Sequence, residues 1–169
     1  MKQYVQESYN LYIDGQWVPS SDGKTFKEYN PSNGDFLAEV SEATRDDVDK
    51  AVKAATKALE SWKHTSPAER QNLLLKIADI IDANADHLAM VETLDNGKPL
   101  RETKAVDIAL GADHFRYFAG VVRTEEGRAM MIDDKTLSLV VHEPIGVVGQ
   151  IVGHNVSLIR KMSSRVSQA

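Results

Sequence analysis

The residues with the clearest chemical potential are five histidines and two pairs of acidic residues. No histidine lies at metal-ligand spacing from another, and His64, His87 and His114 fall on separate predicted helices. Isolated histidines of this kind are usually surface residues or hydrogen-bonded core residues. The pairs Asp46–Asp47 and Glu125–Glu126 are typical of solvated helix ends rather than of paired catalytic carboxylates. These residue types therefore predict no metal site.

Glycines near the end of the chain interrupt an apolar run, Val147 to Val152, that is typical of a buried strand. Gly146 and Gly149 do not open a helix, so they form no dinucleotide-binding fingerprint. The sequence contains neither a phosphate-binding loop nor a Gly-x-Ser-x-Gly elbow. It also contains no cysteine, which excludes disulfides, thiolate metal sites and a thiol nucleophile. Spacing alone indicates an α/β domain without an assigned function.

Composition limits the class of protein. The 169 residues are 42% hydrophobic and 27% charged, which is typical of one globular domain. A net charge of −5 argues against a nucleic-acid partner or an acidic membrane surface. The polar start of the chain resembles no secretory signal, and no run approaches a membrane span. We therefore expect a cytoplasmic protein.

Turn and cap signals predict a small β ribbon followed by helices. Asp14-Gly15 lies between two apolar runs and predicts a hairpin, and Asn30 to Gly34 predicts a second turn. Thr44 is expected to cap one helix, whose apolar stripe is Val48, Ala51, Val52, Ala55, Leu59 and Trp62. Ser66 is expected to cap the next helix, whose predicted apolar face is Leu73, Leu74, Ile77, Ile80 and Ile81.

The second half of the chain is predicted to continue with helices and then strands. A helix from about 85 to 96 should stop at Gly97, and another should run from about 100 to 126. Alternating residues predict a strand from Thr136 to Glu143, followed by the strand at 147–152. The order indicates an α/β unit that begins near the end of the chain.

Several blocks resemble the N-terminal part of aldehyde dehydrogenases: "LYIDGQWV", "YNPSNGD", "ETLDNGKPLRET", "FRYFAG" and "HEPIGVVGQIV". They follow the order of that family and cover nearly all of residues 10–152. The resemblance implies oxidation of an aldehyde to a carboxylic acid with NAD or NADP. It also implies a cofactor domain of Rossmann type, a catalytic domain and a β oligomerisation arm. The expected fold class is thus α/β, an incomplete aldehyde dehydrogenase fold with a β ribbon, a helical layer and the start of a Rossmann-type sheet.

The resemblance also sets expected domain boundaries. Residues 1–152 should be the N-terminal part of the cofactor-binding domain, with 136–143 as the strand of the β arm, and 153–169 a non-family tail. Where the family continues with Pro-Trp-Asn-Phe-Pro, this chain has Gly153-His154-Asn155-Val156-Ser157. So abrupt a departure is typical of a frameshift, and we expect a truncated or frame-disrupted gene product.

Site residues follow from the same match. Asn155 corresponds to the family's asparagine that donates to the oxyanion, so it is the candidate catalytic residue. The candidate cofactor-binding residues are Ile151, Val152, Gly153 and His154. The resemblance implies NAD or NADP as cofactor.

Activity is not expected from this chain alone. The family's catalysis requires a cysteine thiolate, a glutamate base and a cofactor loop, and none of them is found here. The chain is therefore predicted to be inactive and not to bind the cofactor. The alternative function is a non-catalytic partner that pairs with a full-length aldehyde dehydrogenase through its β strands. The open strand at 147–152 also predicts self-association.

Overall fold

The structure, a computed structural model, describes residues 3–151, which form an N-terminal β region, a helical layer and a hairpin. The strands are β1 (Ser8–Tyr9), β2 (Leu11–Ile13), β3 (Gln16–Val18), β4 (Thr25–Tyr29), β5 (Phe36–Ser41), β6 (Arg128–Asp133) and β7 (Thr136–Val140). The helices are α1 (Arg45–Trp62), α2 (Pro67–Ala83), α3 (Ala85–Asn96), the single turn α4 (Leu100–Glu102) and α5 (Ala109–Val121). A π-helix, Thr103–Ile108, joins α4 to α5.

The β region contains one three-stranded sheet and one hairpin. The sheet has the order β1-β5-β4, with β1 parallel and β4 antiparallel to β5. The hairpin joins β2 to β3 through Asp14 (φ 52°) and Gly15 (φ 78°), which is the turn that matches strand twist. The predicted hairpin is confirmed, as is the turn from Asn30 to Gly34 between β4 and β5.

Both predicted helix caps are present. The Thr44 side chain accepts a hydrogen bond from Asp47 N, and the Asp47 carboxylate accepts one from Thr44 N, which completes a capping box. Ser66 forms the same arrangement with Glu69 at the start of α2. Gly97 ends α3 in the left-handed conformation that glycine adopts without strain (φ 77°).

The main core lies between α2, α3, the π-helix and α5. Its buried members are Leu74, Ala78, Ile81, Ala89, Ile108, Ala112, Phe115 and Ala119. The predicted apolar face of α2 was partly wrong, because Leu73 and Ile80 are exposed. The buried face follows the spacing 74, 78, 81, and Leu73 and Ile80 lie on its flank.

Helix α1 forms as predicted, but most of its apolar stripe is uncovered by the described residues. Asp47 is its only buried residue. Val48 and Val52 are 53% and 48% exposed, whereas Leu59 and Trp62 are half-buried. An amphipathic helix of this kind gains most of its stability from a partner on its apolar side.

The C-terminal part differs from its prediction in three ways. The helix predicted to run to about residue 126 ends at Val121 and includes the π-helix. The strand expected at Thr136–Glu143 ends at Val140 and pairs with β6, which sequence patterns did not predict. Residues 141–151 have no regular secondary structure, so the strand expected from residue 147 is absent over its described part. A strand requires a hydrogen-bonded neighbour, and no described strand lies beside this segment. No helix within residues 3–151 is long and apolar enough to cross a membrane.

Asp47 fixes the start of α1 to the loop after β3. Its carboxylate accepts hydrogen bonds from Ser21 N at 3.0 Å, from Thr44 N at 3.0 Å and from the Ser21 hydroxyl. The Lys50 ammonium lies 3.5 Å away. These bonds, led by that from the Ser21 side chain, hold the pKa of Asp47 well below its ordinary value of 3.8.

This lowered pKa predicts acid sensitivity at the start of α1. The stabilisation requires ionised Asp47, so it is complete above about pH 3.8 and is lost as the pH falls through the lower pKa of the folded state. Asp47→Asn should therefore remove amide protection in the first turn of α1 at neutral pH and abolish its acid dependence. Hydrogen-exchange protection factors measured across this pH range test this. Asp46→Asn is the matched control, since Asp46 is exposed; equal protection in wild type and Asp47→Asn at neutral pH would refute the role.

Candidate functional site

Only one of the five sequence-predicted site residues lies within the described part of the chain. Ile151 is fully exposed, at 103% of its reference area, and no neighbouring element covers it. Val152, Gly153, His154 and Asn155 lie outside the described residues. The structure therefore brings none of the predicted cofactor and oxyanion residues together.

The segment leading to Ile151 does not fit a dinucleotide. Glycines in a dinucleotide site allow close approach of the backbone to the pyrophosphate, usually at a helix start. A Cβ at Gly149 would meet nothing within 4 Å, and one at Gly146 would meet only Leu59 Cδ2 at 3.8 Å. No helix follows these glycines within residues 146–151. Around Gly146 and Gly149 the described residues therefore show no close backbone approach of the kind that holds a pyrophosphate.

A cleft of about 580 Å³ lies where the end of α1, the start of α2, the end of α5 and the segment after β7 meet. Its charged lining residues carry both signs: Lys63, Arg70, Glu125, His142 and Glu143. Arg70 donates to Thr65 Oγ1 at 2.9 Å and to the Trp62 carbonyl at 3.2 Å, and it stacks over the Trp62 ring. His142 Nδ1 lies 3.5 Å from Glu125 Oε1. Lys63 Nζ lies 2.9 Å from Glu60 Oε2. Four of the five charged groups thus contact a polar or charged neighbour.

A short ion pair with a buried carboxylate joins Lys98 to Asp107 in the helical layer. Lys98 Nζ lies 2.7 Å and 2.6 Å from the two carboxylate oxygens of Asp107. The Asp107 side chain is 3% exposed and the Lys98 side chain 27% exposed. The π-helix turns Asp107 inward, and Lys98 reaches it from the loop after α3. A buried carboxylate requires such a partner, so this pair fixes the loop against the helical layer.

Further buried polar contacts lie at the junction where the loop after α3 meets the helical layer. The Thr103 hydroxyl, on a fully buried side chain, lies 2.9 Å from the Thr93 hydroxyl and 3.1 Å from the Ala89 carbonyl oxygen. A Cβ at Gly97 would lie 3.0 Å from Pro31 Cγ, so the loop after α3 also packs closely on the turn between β4 and β5. The "DNGKP" block thus connects the β region to the helical layer.

Sequence reasoning did not single out Lys98 and Asp107. The available signal was an aspartate between the apolar residues Val106 and Ile108 in a predicted helix. A charged residue next to one that faces the core is a candidate for burial with a partner. The π-helix could not be predicted from this pattern, because one extra residue in a turn changes which side chains face inward.

The described part of the chain contains no metal site. Within residues 3–151, no three His, Asp or Glu side chains come together at metal-binding geometry. The polar groups described above connect helices, strands and loops to one another, as in a structural scaffold.

Comparison with known proteins identifies the family to which these residues are similar. The sequence model of the aldehyde dehydrogenase family matches residues 17–166. The chain is 50% identical over 151 residues to an acetaldehyde dehydrogenase of Pseudomonas aeruginosa, covering 89% of this chain and 30% of that protein. It is 47% identical over 156 residues to an aldehyde dehydrogenase of Vibrio cholerae, covering 92% of this chain and 31% of that protein. The matched range extends beyond Val152, the residue at which the family part of the chain was predicted to end. That domain boundary stays a prediction.

Solved structures agree with the sequence comparison. An aldehyde dehydrogenase from Bacillus cereus in complex with NAD⁺ superimposes with a TM-score of 0.92 at 39% identity. The alignment covers 99% of this chain and 35% of that one. The chain spans about a third of the length of these relatives, and its helices and strands form an incomplete N-terminal part of their fold. It belongs to the aldehyde dehydrogenase family.

Proposed function

We propose that this chain provides the N-terminal scaffold for NAD(P)-dependent oxidation of an aldehyde to a carboxylic acid, and that the 169 residues by themselves do not catalyse it. The observation that carries the proposal is the combination of a family match at 50% identity with a sequence that contains no cysteine. Capture of an aldehyde by the family's chemistry needs a thiolate, and no other side chain here supplies one. A cytoplasmic location stays a prediction.

The scaffold role is supported by how the described residues are joined. Lys98, Asp107 and Thr103 hold the loop after α3 against the helical layer, and Gly97 packs that loop on the β region. Such contacts position elements without touching a reacting group. The open surroundings of Gly146 and Gly149 support a scaffold that does not itself bind the cofactor.

A chimera tests the scaffold role. Residues 1–152 of this chain would replace the matching N-terminal segment of the Pseudomonas aeruginosa acetaldehyde dehydrogenase. We expect the chimera to form NADH from acetaldehyde, because the helical layer and β region keep the same fold at 50% identity. The unmodified relative is the positive control. A chimera that melts like its parent but forms no NADH would contradict the proposal.

A second candidate function, pairing with a full-length family member, is favoured by the β6–β7 hairpin. Every residue of β6 and all but Ser138 of β7 are exposed. Met131 and Leu139, on one face of the hairpin, are 58% and 63% exposed. The described chain gives this two-stranded sheet no further strand, so each outer edge is open. Open apolar edges of this kind pair with strands of other chains.

The pairing candidate predicts a specific loss of binding. Met131→Lys with Leu139→Lys should weaken association with the full-length relative by about tenfold or more, because burial of each apolar side chain contributes roughly 1.5–3 kcal/mol. Sedimentation of the mixed proteins measures it. Asn72→Lys with Ala83→Lys adds the same charge on exposed α2 positions and is the control. Wild-type chain that does not bind, or binding that both double variants reduce equally, would exclude pairing through this hairpin.

A further inference from the structure

The sequence contains two Asn-Gly pairs of neighbours, Asn33-Gly34 and Asn96-Gly97, called here the turn site and the helix-end site. Glycine has no Cβ, so its backbone nitrogen can approach the side-chain carbonyl carbon of the preceding asparagine with little hindrance. The nitrogen bonds to Cγ, the Cγ–Nδ2 bond breaks, and ammonia leaves with the proton that the backbone nitrogen loses. Water then opens the five-membered succinimide to aspartate or isoaspartate, so this deamidation needs no other reagent.

The two sites have nearly the same local hydrogen bonding. Gly34 N donates to the Asn30 carbonyl oxygen at 2.8 Å. Gly97 N donates to the Thr93 carbonyl oxygen at 2.9 Å. At each site the asparagine Oδ1 accepts a hydrogen bond from the backbone N–H two residues later, at 3.0 Å in the turn site and 2.8 Å in the helix-end site. This N–H stabilises the negative charge that develops on Oδ1 during attack, so local geometry favours both sites alike.

Packing around the two glycines is different. A Cβ on Gly97 would lie 3.0 Å from Pro31 Cγ and 3.1 Å from Ser32 Oγ. A Cβ on Gly34 would meet nothing within 4 Å. Both residues of the turn site are exposed, whereas both residues of the helix-end site are half-buried. Only the glycine of the turn site therefore has room to move.

Movement of the glycine is required for the reaction. Attack needs rotation about the Cα–C bond of the asparagine, and this rotation breaks the hydrogen bond that the glycine N–H donates. In the turn site it disturbs an exposed connection between β4 and β5. In the helix-end site it unwinds the last turn of α3 and drives Gly97 against Pro31. Exposed loops open at little cost in free energy, and packed helices open at a much higher cost.

We propose that Asn33 is a site of spontaneous deamidation in the folded chain, and that the packing around Gly97 protects Asn96. The reaction is independent of aldehyde chemistry. Asn33 Nδ2 donates to Asp35 Oδ2 at 2.8 Å, so deamidation replaces this donor by a carboxylate that repels Asp35. The isoaspartate product also lengthens the backbone of the turn by one methylene group.

Incubation of the full 169-residue chain in mildly alkaline buffer, followed by peptide mass spectrometry, tests the proposal. We expect Asn33 to react roughly tenfold faster than Asn96 or more, because only Asn96 requires packed structure to open. The same chain in guanidinium chloride is the control, where the two rates should agree within about twofold, since glycine follows both asparagines. Equal rates in the folded chain, or a faster reaction at Asn96, would overturn the proposal.

A pair of variants tests the cause of the protection. Pro31→Ala with Ser32→Ala removes the contacts on the helix-end site and should speed the reaction at Asn96 by roughly threefold or more, with hydrogen exchange in α5 unchanged. Pro19→Ala with Ser61→Ala makes the same substitutions at exposed positions that are not among the nearest neighbours of that site, and should leave the rate unchanged. An unchanged rate at Asn96 in the first variant would show that packing by the turn does not protect it.

Discussion

Replacing Lys98 by Met is expected to destabilise the helical layer by about 3 kcal/mol, because it leaves the Asp107 carboxylate buried without a partner. Asp107 is 3% exposed and receives both of its charged contacts from Lys98 Nζ, at 2.6 Å and 2.7 Å. Lys98 remains 27% exposed, so the effect should lie at the low end of the roughly 3–5 kcal/mol found for broken buried pairs. Denaturant unfolding followed by circular dichroism measures the change.

Two variants make this expectation specific. Lys98→Met with Asp107→Leu removes both charges and should recover most of the lost stability, since an apolar pair needs no compensation. Lys104→Met is the matched surface control, because Lys104 and its partner Asp86 are 58% and 81% exposed and such pairs contribute about 1 kcal/mol or less. If Lys98→Met and Lys104→Met destabilise equally, the junction is not held by this ion pair.

Local signals predicted the elements that local chemistry controls. The Asp14-Gly15 hairpin, the helix cap at Thr44 and the capping box at Ser66 depend on a few neighbouring residues, and all three are confirmed. The end of α3 at Gly97 is of the same kind. In each case one turn or one cap determines the backbone conformation, so tertiary packing has little to change.

Elements that depend on distant partners were not predictable in this way. β6 is held by β7 through backbone hydrogen bonds, and its own sequence "RAMMID" has no alternation typical of strands. The run after Gly146 has a buried strand's composition, but no strand pairs with it among the described residues. The apolar composition of a segment predicts that it can form a buried strand. Whether the strand forms depends on neighbouring strands that supply its hydrogen bonds.

The same difference between local and distant determinants applies to the residues of the candidate site. The resemblance assigned Asn155 and its neighbours, of which only Ile151 is described, and it lies fully exposed. The resemblance did not identify Asp107, because its burial depends on the register of the π-helix. The family assignment, by contrast, could be made from the sequence, since several ordered blocks carry it, and the family match over residues 17–166 confirms it.

Absence of catalysis is the second large effect expected of the 169-residue chain. With no cysteine in the sequence, no thiolate can add to an aldehyde carbon. The described residues present no dinucleotide cradle around Gly146 and Gly149. Loss of an essential nucleophile lowers turnover by several orders of magnitude, about 10⁶-fold in one well-studied serine hydrolase. Turnover should therefore be undetectable.

The most direct measurement is NADH or NADPH formation by the purified 169-residue chain with acetaldehyde and several longer aldehydes. The Pseudomonas aeruginosa relative, assayed at the same concentration, shows that substrate and cofactor are competent. We expect the chain to give no signal above a heat-treated control with either cofactor. Sustained reduction of NAD⁺ or NADP⁺ that increases in proportion to the chain's concentration would contradict the proposal that these residues are a scaffold without a complete active site.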